Sequence, residues 1–462
     1  MELLSIKGFP SILAKTKELK SIGRRDNKLL LLDKCNWVIH QIAKKSYVVD
    51  KKFDEYVNIN SKTFESILGR DYKSIQELMY RMGFVEENPN YSKGNFSKSY
   101  RLTAKAIKAG IHHVPIYSNR FRGKYNRYLD KKFDKVYAEP LYRKLLDNTA
   151  QIKLMDEPEH HLLELIPEPN IEEFEDGTFD NISQLNYHQF GRYETFHKAL
   201  IALNDTTNPR DVYKSTISFE PSVGRTKRVY HLSASIPRLI RECLRTKDNE
   251  LIYEIDMASA QPSILILEWL KSVANSSLSL SENVKKEARL CLELVTSGSV
   301  YAYIRKNSTY CRELDYADLK MNILKTLNAK NYPSELNKEM KKLFPSFMKW
   351  INSIKKEKGN KYISFIGQST EANIFVEVYK TLPKNMFALI IHDSILCTRE
   401  NTDFVKSELI KRCRTIYPKL LSESVSLDKL FKVGKVSLTD EELPSTERIK
   451  AMKELEEGFR SI

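Results

Sequence analysis

The segment LIYEIDMASAQPSILILEWL, residues 251–270, joins an apolar strand to an apolar helix and places an acidic residue at the junction. The run of Leu, Ile and Tyr before Asp256 predicts a buried strand, and the longer apolar run after Pro262 predicts a helix. Burying an unpaired carboxylate costs several kcal/mol, so Asp256 needs a compensating positive charge nearby. A metal ion or a lysine would supply that charge.

Residues 387–398, FALIIHDSILCT, form a second apolar segment with an acidic residue. We interpret this segment as one strand that holds His392 and Asp393 in its middle. Nucleotidyl transfer uses two Mg²⁺ ions about 4 Å apart, held by carboxylates, to activate a hydroxyl and to neutralise the leaving phosphate; Mn²⁺ can substitute for them. The sequence thus predicts Asp256 and Asp393 as catalytic metal ligands, although a salt bridge to a lysine would also explain either residue.

The composition indicates a multidomain protein with a polyanionic partner. The chain has 462 residues, and its 75 basic and 60 acidic residues give a net charge of +15. No segment reaches the roughly 20 apolar residues of a membrane span, and the start lacks the apolar core of a secretion signal, so we expect a cytoplasmic protein without membrane contact. The cysteines are widely spaced without a CxxC pair, which predicts reduced core residues. They are Cys35, Cys243, Cys291, Cys311, Cys397 and Cys413.

The patterns divide the chain into five segments. These are an N-terminal segment at 1–24, a winged-helix DNA-binding domain at 25–110, a basic helical segment with an acidic, proline-rich linker at 111–184, a catalytic core at 185–435 and a C-terminal helix at 436–462. The linker contains His160 and His161, but no regular ligand spacing supports a metal site there.

The second segment has the signals of a helix, a turn, a second helix and a two-stranded wing. The marker residues are the cap Ser61, the turn residue Gly69, the helix residues Ile75, Leu78 and Met82, and the turn residues Gly94 and Asn95. A winged helix of this kind places its second helix in a DNA groove, although some winged helices contact only proteins.

Polar side chains of this segment are expected to contact nucleic acid. We expect Lys73, Gln76 and Arg81 to be exposed on the second helix, and Lys93, Lys98 and Arg101 to lie near the wing. From residue 93 to residue 144 the chain stays strongly basic, with Tyr and Phe interleaved. That composition is typical of nucleic-acid-binding surfaces, and also of a solvated lysine-rich face.

Between about residues 215 and 400, several motifs follow the order of the catalytic core of family A DNA polymerases and the related single-subunit phage RNA polymerases. The stretch SVGRTKRVYHLSASIPRLIR resembles the family's approach to motif A. The resemblance implies that Arg225 touches the primer-template and that Arg238 and Arg241 bind the substrate. Asp256 matches the motif A metal ligand. Gln261 stands where DNA-synthesising members carry a glutamate beside the ribose 2′ position, which leaves the choice of sugar open.

The next motifs are similar to the family's fingers. SGSVYAYI, residues 297–304, resembles the turn and short helix after motif A, and DLKMNILKTLNAKNYP, residues 318–333, resembles the lysine-bearing helix. Such a lysine holds the triphosphate and can protonate the leaving pyrophosphate. Lys320 is our first choice for this role, because Asn328 then falls at the spacing of the family's following aromatic, and Lys325 is the second. The family's Tyr-Gly is missing, and Tyr332-Pro333 is its nearest trace.

IGQSTEANIFVEVYK, residues 366–380, resembles the family's glutamine-started helix, which implies that Gln368 contacts the primer-template. IIHDSIL, residues 390–396, resembles motif C, with His392 near the primer end and Asp393 on metal. Ser394 replaces the glutamate common in DNA polymerases, as in the phage RNA polymerases. DMASAQPSI also follows a pattern of family B polymerases, but IHDS lacks that family's DTD element. Both families have a right-hand palm with metal aspartates.

The resemblance implies an α+β protein in which a right-hand polymerase palm and fingers follow an N-terminal winged helix. We expect a DNA-directed DNA polymerase without proofreading exonuclease, which replicates a phage, a plasmid or another mobile element. Its partners are then a DNA primer-template, dNTPs and replication accessory proteins. The alternatives are an RNA-synthesising or primase-like enzyme that uses NTPs, a non-catalytic winged-helix replication initiator, and an enzyme of template-independent tailing or defence.

Overall fold

The computed structural model of the chain describes residues 2–49, 56–88, 98–154, 199, 201, 203–216, 220–236, 241–276, 279–330 and 334–437. Some sequence predictions lie outside these ranges. They concern Lys93, the Gly94–Asn95 turn, the acidic linker with His160 and His161, Arg238, Tyr332-Pro333 and the C-terminal helix. Within the described ranges, no helix has the length and apolar character that crossing a membrane requires.

Packing divides the chain into two compact units, and both combine α-helices with antiparallel strands. The first unit contains Met1–Leu146, Asp156–Glu220 and Pro444–Ile462. The second unit contains Asp147–Met155 and Pro221–Leu443. All predicted catalytic residues therefore belong to the second unit, and the predicted winged helix belongs to the first.

The first unit is mainly helical, with two small sheets. Its elements are β1 (Glu2–Ile6), α1 (Phe9–Leu13), α2 (Lys17–Ser21), α3 (Arg25–Val49), β2 (Val57–Asn58), α4 (Ser61–Leu68), α5 (Tyr72–Arg81), β3 (Val85–Glu87), β4 (Ser99–Leu102), α6 (Ala104–Ala109), β5 (Ile111–Pro115), α7 (Asn119–Tyr137), α8 (Pro140–Thr149) and α9 (Pro209–Ser215). Helix α8 continues across the boundary into the second unit. Strand β1 pairs with β5, and β2, β4 and β3 form a three-stranded sheet in that order. The fully buried Trp37, Phe64 and Phe84 lie in the core that α3, α4 and the sheet share.

The predicted helix, turn, helix and strand pair are present between residues 57 and 102. Helix α4 is capped by Asn60 and not by Ser61, because the Asn60 side chain accepts a hydrogen bond of 2.8 Å from the Lys62 N–H. The predicted exposure of Gln76 is wrong. Its side chain is buried and donates a hydrogen bond of 3.2 Å to the Tyr100 hydroxyl, since it lies one turn before the buried Met79 on the core-facing side of α5. The assignment as a winged helix stays a prediction.

The second unit is built on a four-stranded antiparallel sheet. Its elements are β6 (Ile152–Leu154), β7 (Ser222–Val223), β8 (Val229–Tyr230), α10 (Leu232–Ser235), β9 (Leu244–Thr246), β10 (Ile252–Met257), α11 (Ala260–Ala274), α12 (Glu282–Thr296), α13 (Val300–Asn307), α14 (Thr309–Arg312), α15 (Tyr316–Asn328), α16 (Glu335–Leu343), α17 (Pro345–Lys358), α18 (Lys361–Thr381), β11 (Ala388–Ile391), β12 (Ser394–Thr398), α19 (Thr402–Ile416) and β13 (Phe431–Lys435). The sheet order is β11-β12-β10-β13, and helices α18 and α19 pack on the sheet. Strand β10 is therefore an interior strand, which explains its apolar sequence.

The predicted helices of this unit are present, with one correction. A turn at Gly298, with a φ of +64°, precedes α13, and α15 carries both Lys320 and Lys325. Helix α18 begins at Lys361, so Gln368 lies inside the helix and not at its start. The helix continues backwards by two turns through Lys361–Gly367, because the single Gly367 is tolerated inside a helix. All six cysteines are buried and free of disulfides, as the sequence predicted.

Candidate active site

Asp256 and Asp393 come together at one end of the central sheet. Asp256 lies in β10, opposite Ser394 of β12 and Lys432 of β13. The prediction that His392 and Asp393 lie in the middle of one strand is wrong, because these two residues form the turn between β11 and β12. The sequence does not indicate this turn, because two-residue hairpin loops usually carry Gly or Asn at positions with positive φ. Here His392 takes that position, with a φ of +50°. The peptide N–H of Met257 donates a hydrogen bond of 3.3 Å to the Asp393 carbonyl, which fixes the turn beside β10.

The surroundings of the Asp256 carboxyl disfavour its charged form. Burial raises its pKa to about 7, and the nearby carboxylates of Asp393 and Glu254 add to that shift. Lys320 and Lys432 oppose it. Within the described ranges, no hydrogen bond or ion pair engages the carboxylate oxygens of Asp256 or Asp393. The two groups therefore repel each other, and Lys320 and Lys432 offset that repulsion only in part, since no described residue holds either carboxylate by a hydrogen bond or an ion pair.

This arrangement fits a divalent cation that is shared with a substrate. In the part of the chain that the structure describes, no group of three or more His, Cys, Asp or Glu side chains is arranged to hold a metal ion by itself. Mg²⁺ rarely needs such a cage, because it is usually bound by one or two carboxylates together with water and substrate phosphates. Asp256 and Asp393 supply those carboxylates. Glu254, which sequence reasoning missed, accepts a hydrogen bond of 2.6 Å from Ser394.

Helix α15 presents its two lysines to solvent. Lys320 and Lys325 are both exposed, and Lys320 is close enough to Asp256 to lower the pKa of that carboxyl. An open cavity of about 620 Å³ runs along this helix, with Met321 and Leu324 in its lining. The surface thus combines an apolar strip with two flanking positive charges, which suits a ligand that has both an aromatic ring and phosphates.

Gln261 is held by a hydrogen-bond network that the sequence did not predict. Its side-chain amide on α11 donates a hydrogen bond of 3.2 Å to Asn328 Oδ1 at the end of α15. The same oxygen accepts a bond of 2.8 Å from the Ser364 hydroxyl on α18. Gly367 lets α18 approach closely, because a Cβ at that position would come within 3.3 Å of Gln261 Cγ. Gln261 is therefore fixed between three helices.

A largely buried ion pair lies within electrostatic reach of the aspartates, and sequence reasoning missed it. Arg228, in the turn before β8, donates to the carboxylate of Glu371 on α18. Burial raises the pKa of Glu371 to about 7, and Arg228 lowers it, while Asp393 and Asp256 raise it further. Glu371 lies one helical turn after Gln368, so both residues face the same side of α18. No local signal marks the pair, because its members are far apart in the sequence.

The predicted primer-template residues lie on several elements of the second unit. His392 is half-buried, and its pKa is lowered by burial and by the nearby charges of Arg228 and Arg241. The Tyr230 and His392 rings pack edge to face, with their centroids 5.8 Å apart. Arg225 is exposed in the loop between β7 and β8, with its guanidinium 5.7 Å from the centre of the Phe365 ring. Gln368 is half-buried on α18. The structure brings Arg241 and His392 together, while Arg238 lies outside the described residues.

The predicted nucleic-acid contacts of the first unit are mostly paired with acids. Arg81 forms an ion pair with Glu18, and Lys98 forms one with Glu87. Arg101 pairs with Glu86 at 2.7 Å. Lys73 is exposed on α5. These ion pairs neutralise much of the positive charge that the sequence suggested for the wing.

Comparison with known proteins found matches among solved structures and none by sequence. No protein-family model matches the sequence, and no curated protein matches it. Among solved structures, it is similar to the POL domain of Pol1 from M. smegmatis in complex with DNA primer-template and dNTP. The sequence identity is 11%, the TM-score is 0.31, and the match covers 86% of this chain and 81% of that chain.

Proposed function

We propose that the second unit is a template-directed DNA polymerase that uses two metal ions. One observation carries the proposal. Asp256 and Asp393 repel each other and engage no donor among the described residues, and Asp256 lies within the electrostatic reach of Lys320. Uncompensated carboxylates of this kind are costly to a fold and are typical of catalytic sites that complete their charge balance with a metal and a substrate. The order of the motifs along the sequence supports the same reaction.

The proposed reaction lengthens a primer by one nucleotide. The primer's 3′ oxygen attacks the α-phosphorus of the nucleotide in line, a new P–O bond forms, and the bond to the bridging oxygen breaks, so pyrophosphate leaves. Asp256 and Asp393 are the proposed ligands of two Mg²⁺ ions, which supply activation of the hydroxyl and neutralisation of the phosphates when bound. Lys320 is proposed to give a proton to the pyrophosphate.

The remaining residues are assigned to binding. Lys325 and Arg241, with Arg238 outside the described residues, are proposed to hold the triphosphate. Arg225, Gln368 and His392 are proposed to contact the primer-template. Gln261 is proposed to lie beside the sugar. We further propose that the enzyme lacks proofreading and replicates a phage, a plasmid or another mobile element with accessory proteins.

Primer extension on a defined primer-template tests the proposal. The wild type should extend the primer with dNTPs and Mg²⁺, and Asp256→Ala and Asp393→Ala should each lower the rate by at least about a thousandfold. Asp403→Ala removes an exposed carboxylate elsewhere in the same unit and should leave the rate unchanged. A wild type that binds the primer-template and adds no nucleotide would contradict catalysis and would favour a winged-helix initiator. Degradation from the 3′ end that survives Asp256→Ala would contradict the absence of proofreading.

An RNA-synthesising enzyme is the second candidate. Two observations favour it: Gln261 carries no charge and is tied to Asn328, and Ser394 occupies the position after Asp393 and is engaged by Glu254. A preference for NTPs over dNTPs in the same extension assay would select this candidate.

A further inference from the structure

Helix α7, within the basic part of the first unit, carries a line of positive charge whose residues are assigned to none of the sites described above. Five basic residues lie at helical spacing along it: Arg120, Lys124, Arg127, Lys131 and Lys135. At 3.6 residues per turn they fall within an arc of about 80°, and at 1.5 Å per residue they extend over about 22 Å. We call these five residues the α7 stripe.

The stripe faces solvent, and its charge is largely uncompensated. Four of its members are exposed, and Lys124 is half-buried. No ion pair within the described ranges involves any of the five. Burial lowers the pKa of Lys124, and so do the like charges of Lys34, Arg120 and Arg127, while Asp71 opposes the shift in part. The positive groups therefore already repel one another, which an anionic partner would relieve.

The nearby acids do not cancel the stripe. Asp130 and Asp134 of α7 are both paired with Arg210, at 3.0 and 2.8 Å, and Lys214 adds a contact of 2.7 Å to Asp130. Asp71 is paired with Lys34 at 2.9 Å, and it attracts Lys124 and Arg120 without forming an ion pair with either. In the wing, by contrast, the cations Lys98 and Arg101 pair with acids of the adjacent strand β3.

We propose that the α7 stripe binds the phosphate backbone of double-stranded nucleic acid. A duplex carries one negative charge per about 1.7 Å of its axis, so a straight line of cations over about 22 Å meets several phosphates at once. A single strand is a poorer match. Phe121, Tyr125 and Phe133 of α7 are buried, so the helix offers none of these rings for base stacking. A membrane surface is also a poorer match, because the apolar face of α7 is buried in its own unit and cannot enter lipid.

This inference rests on the proposed function only in the expectation that the polyanion is a nucleic acid. The test is the salt dependence of binding, measured with the full chain and a fluorescent 30-base-pair duplex without nucleotides. Arg120→Gln, Arg127→Gln and Lys131→Gln combined should weaken binding tenfold or more at low salt. The slope of log K against log[salt] should fall by about 1 for each residue removed.

Two variants control for general effects. Lys15→Gln, Lys17→Gln and Lys20→Gln combined remove the same charge from exposed lysines of the first unit outside the stripe and outside the predicted winged helix, and they should leave the slope unchanged. Arg120→Lys, Arg127→Lys and Lys131→Arg combined keep the charge and should keep the slope, as expected of phosphate contacts. Far-UV circular dichroism checks the fold of each variant.

The outcomes are distinguishable. Equal binding by the stripe variant and the lysine control would overturn the proposal, and so would tighter binding to anionic lipid vesicles or to single strands than to the duplex. Extension of a primer together with an unaffected salt slope would reject the stripe and keep the polymerase. A lowered slope in a protein that extends no primer would keep the stripe and reject the polymerase.

Discussion

The side-chain amide of Gln261 donates a hydrogen bond of 3.2 Å to Asn328 Oδ1, which also accepts the Ser364 hydroxyl. This bond turns the Gln261 side chain toward the end of α15 and fixes its rotamer. If Gln261 lies beside the sugar, its orientation sets how much room the 2′ position has. The Gln261–Asn328 bond is then a positioning contact for sugar choice.

The first prediction concerns this contact. Asn328→Ala should free Gln261 and change the ratio of kcat/KM for dNTP over NTP by roughly fivefold, because the loss of one positioning hydrogen bond is worth about 1 kcal/mol. Asn328→Asp keeps an acceptor oxygen at the same position and should retain most of the wild-type ratio. Steady-state primer extension with each nucleotide measures the ratio. An unchanged ratio in Asn328→Ala would remove Asn328 from sugar selection.

The second prediction concerns the buried pair of Arg228 and Glu371. Arg228→Met should destabilise the protein by about 3 kcal/mol at pH 8, because it leaves the buried Glu371 carboxyl without its ion-pair partner. Arg228→Met combined with Glu371→Leu removes both charges and should recover most of that loss. Urea unfolding of the two single variants and the double variant gives the coupling energy. Additive effects would show that the two residues stabilise the fold independently.

These relationships explain which parts of the site the sequence could predict. Asp256 was recognisable because a carboxylate in an interior apolar strand is energetically unusual wherever it occurs. The turn at His392 was hidden, because its flanking residues are as apolar as a strand and it lacks the usual turn residues. Glu371 was missed since its partner Arg228 lies 143 positions away, and pairing across that separation leaves no periodic pattern.

The sequence also cannot show which surface charges are paired, because their partners lie on other elements of the fold. The sequence correctly indicated that residues 93–144 are basic, but it could not tell which cations are already paired. Lys98 and Arg101 are opposed by Glu87 and Glu86 of the neighbouring strand, a pairing set by the register of β3 and β4. The aromatic residues of α7, which suggested a stacking surface, are mostly core residues because they fall on the opposite face of the helix.

The third prediction is a pH-dependent stability difference in the absence of Mg²⁺. The pKa of Asp256 is raised from 3.8 in the unfolded chain to about 7 in the fold, so the folded state binds the proton more tightly. Stability from this group is fully present below about pH 4 and is lost as the pH rises to about 7. Asp256→Asn avoids this loss and should be more stable than the wild type at pH 8, by on the order of 2–4 kcal/mol.

Urea unfolding in EDTA at pH 5, 6, 7 and 8 measures the difference. Asp256→Asn should approach the wild-type stability at the lowest pH and exceed it increasingly up to about pH 7. Asp403→Asn changes an exposed carboxylate and should follow the wild type throughout. A wild type that is more stable than Asp256→Asn at pH 8 in EDTA would mean that an unrecognised partner in the chain neutralises Asp256.

The fourth prediction is that adding Mg²⁺ makes the wild type more stable relative to Asp256→Asn. If Asp256 and Asp393 bind Mg²⁺, the ion stabilises the folded wild type by about 2.7 kcal/mol at a concentration one hundred times its Kd. Because binding requires the ionised carboxylate, this stabilisation should grow as the pH rises from 6 to 8.

Asp256→Asn and Asp393→Asn each remove a ligand and should lose the Mg²⁺-dependent rise in melting temperature, while Asp403→Asn should keep it. Melting curves in Mg²⁺ and in EDTA need no substrate, so they test the metal site apart from catalysis. An equal Mg²⁺ effect on the wild type and on both ligand variants would show that the ion binds elsewhere in the chain. The repulsion between the two aspartates would then have to be relieved by the nucleotide or by Lys320.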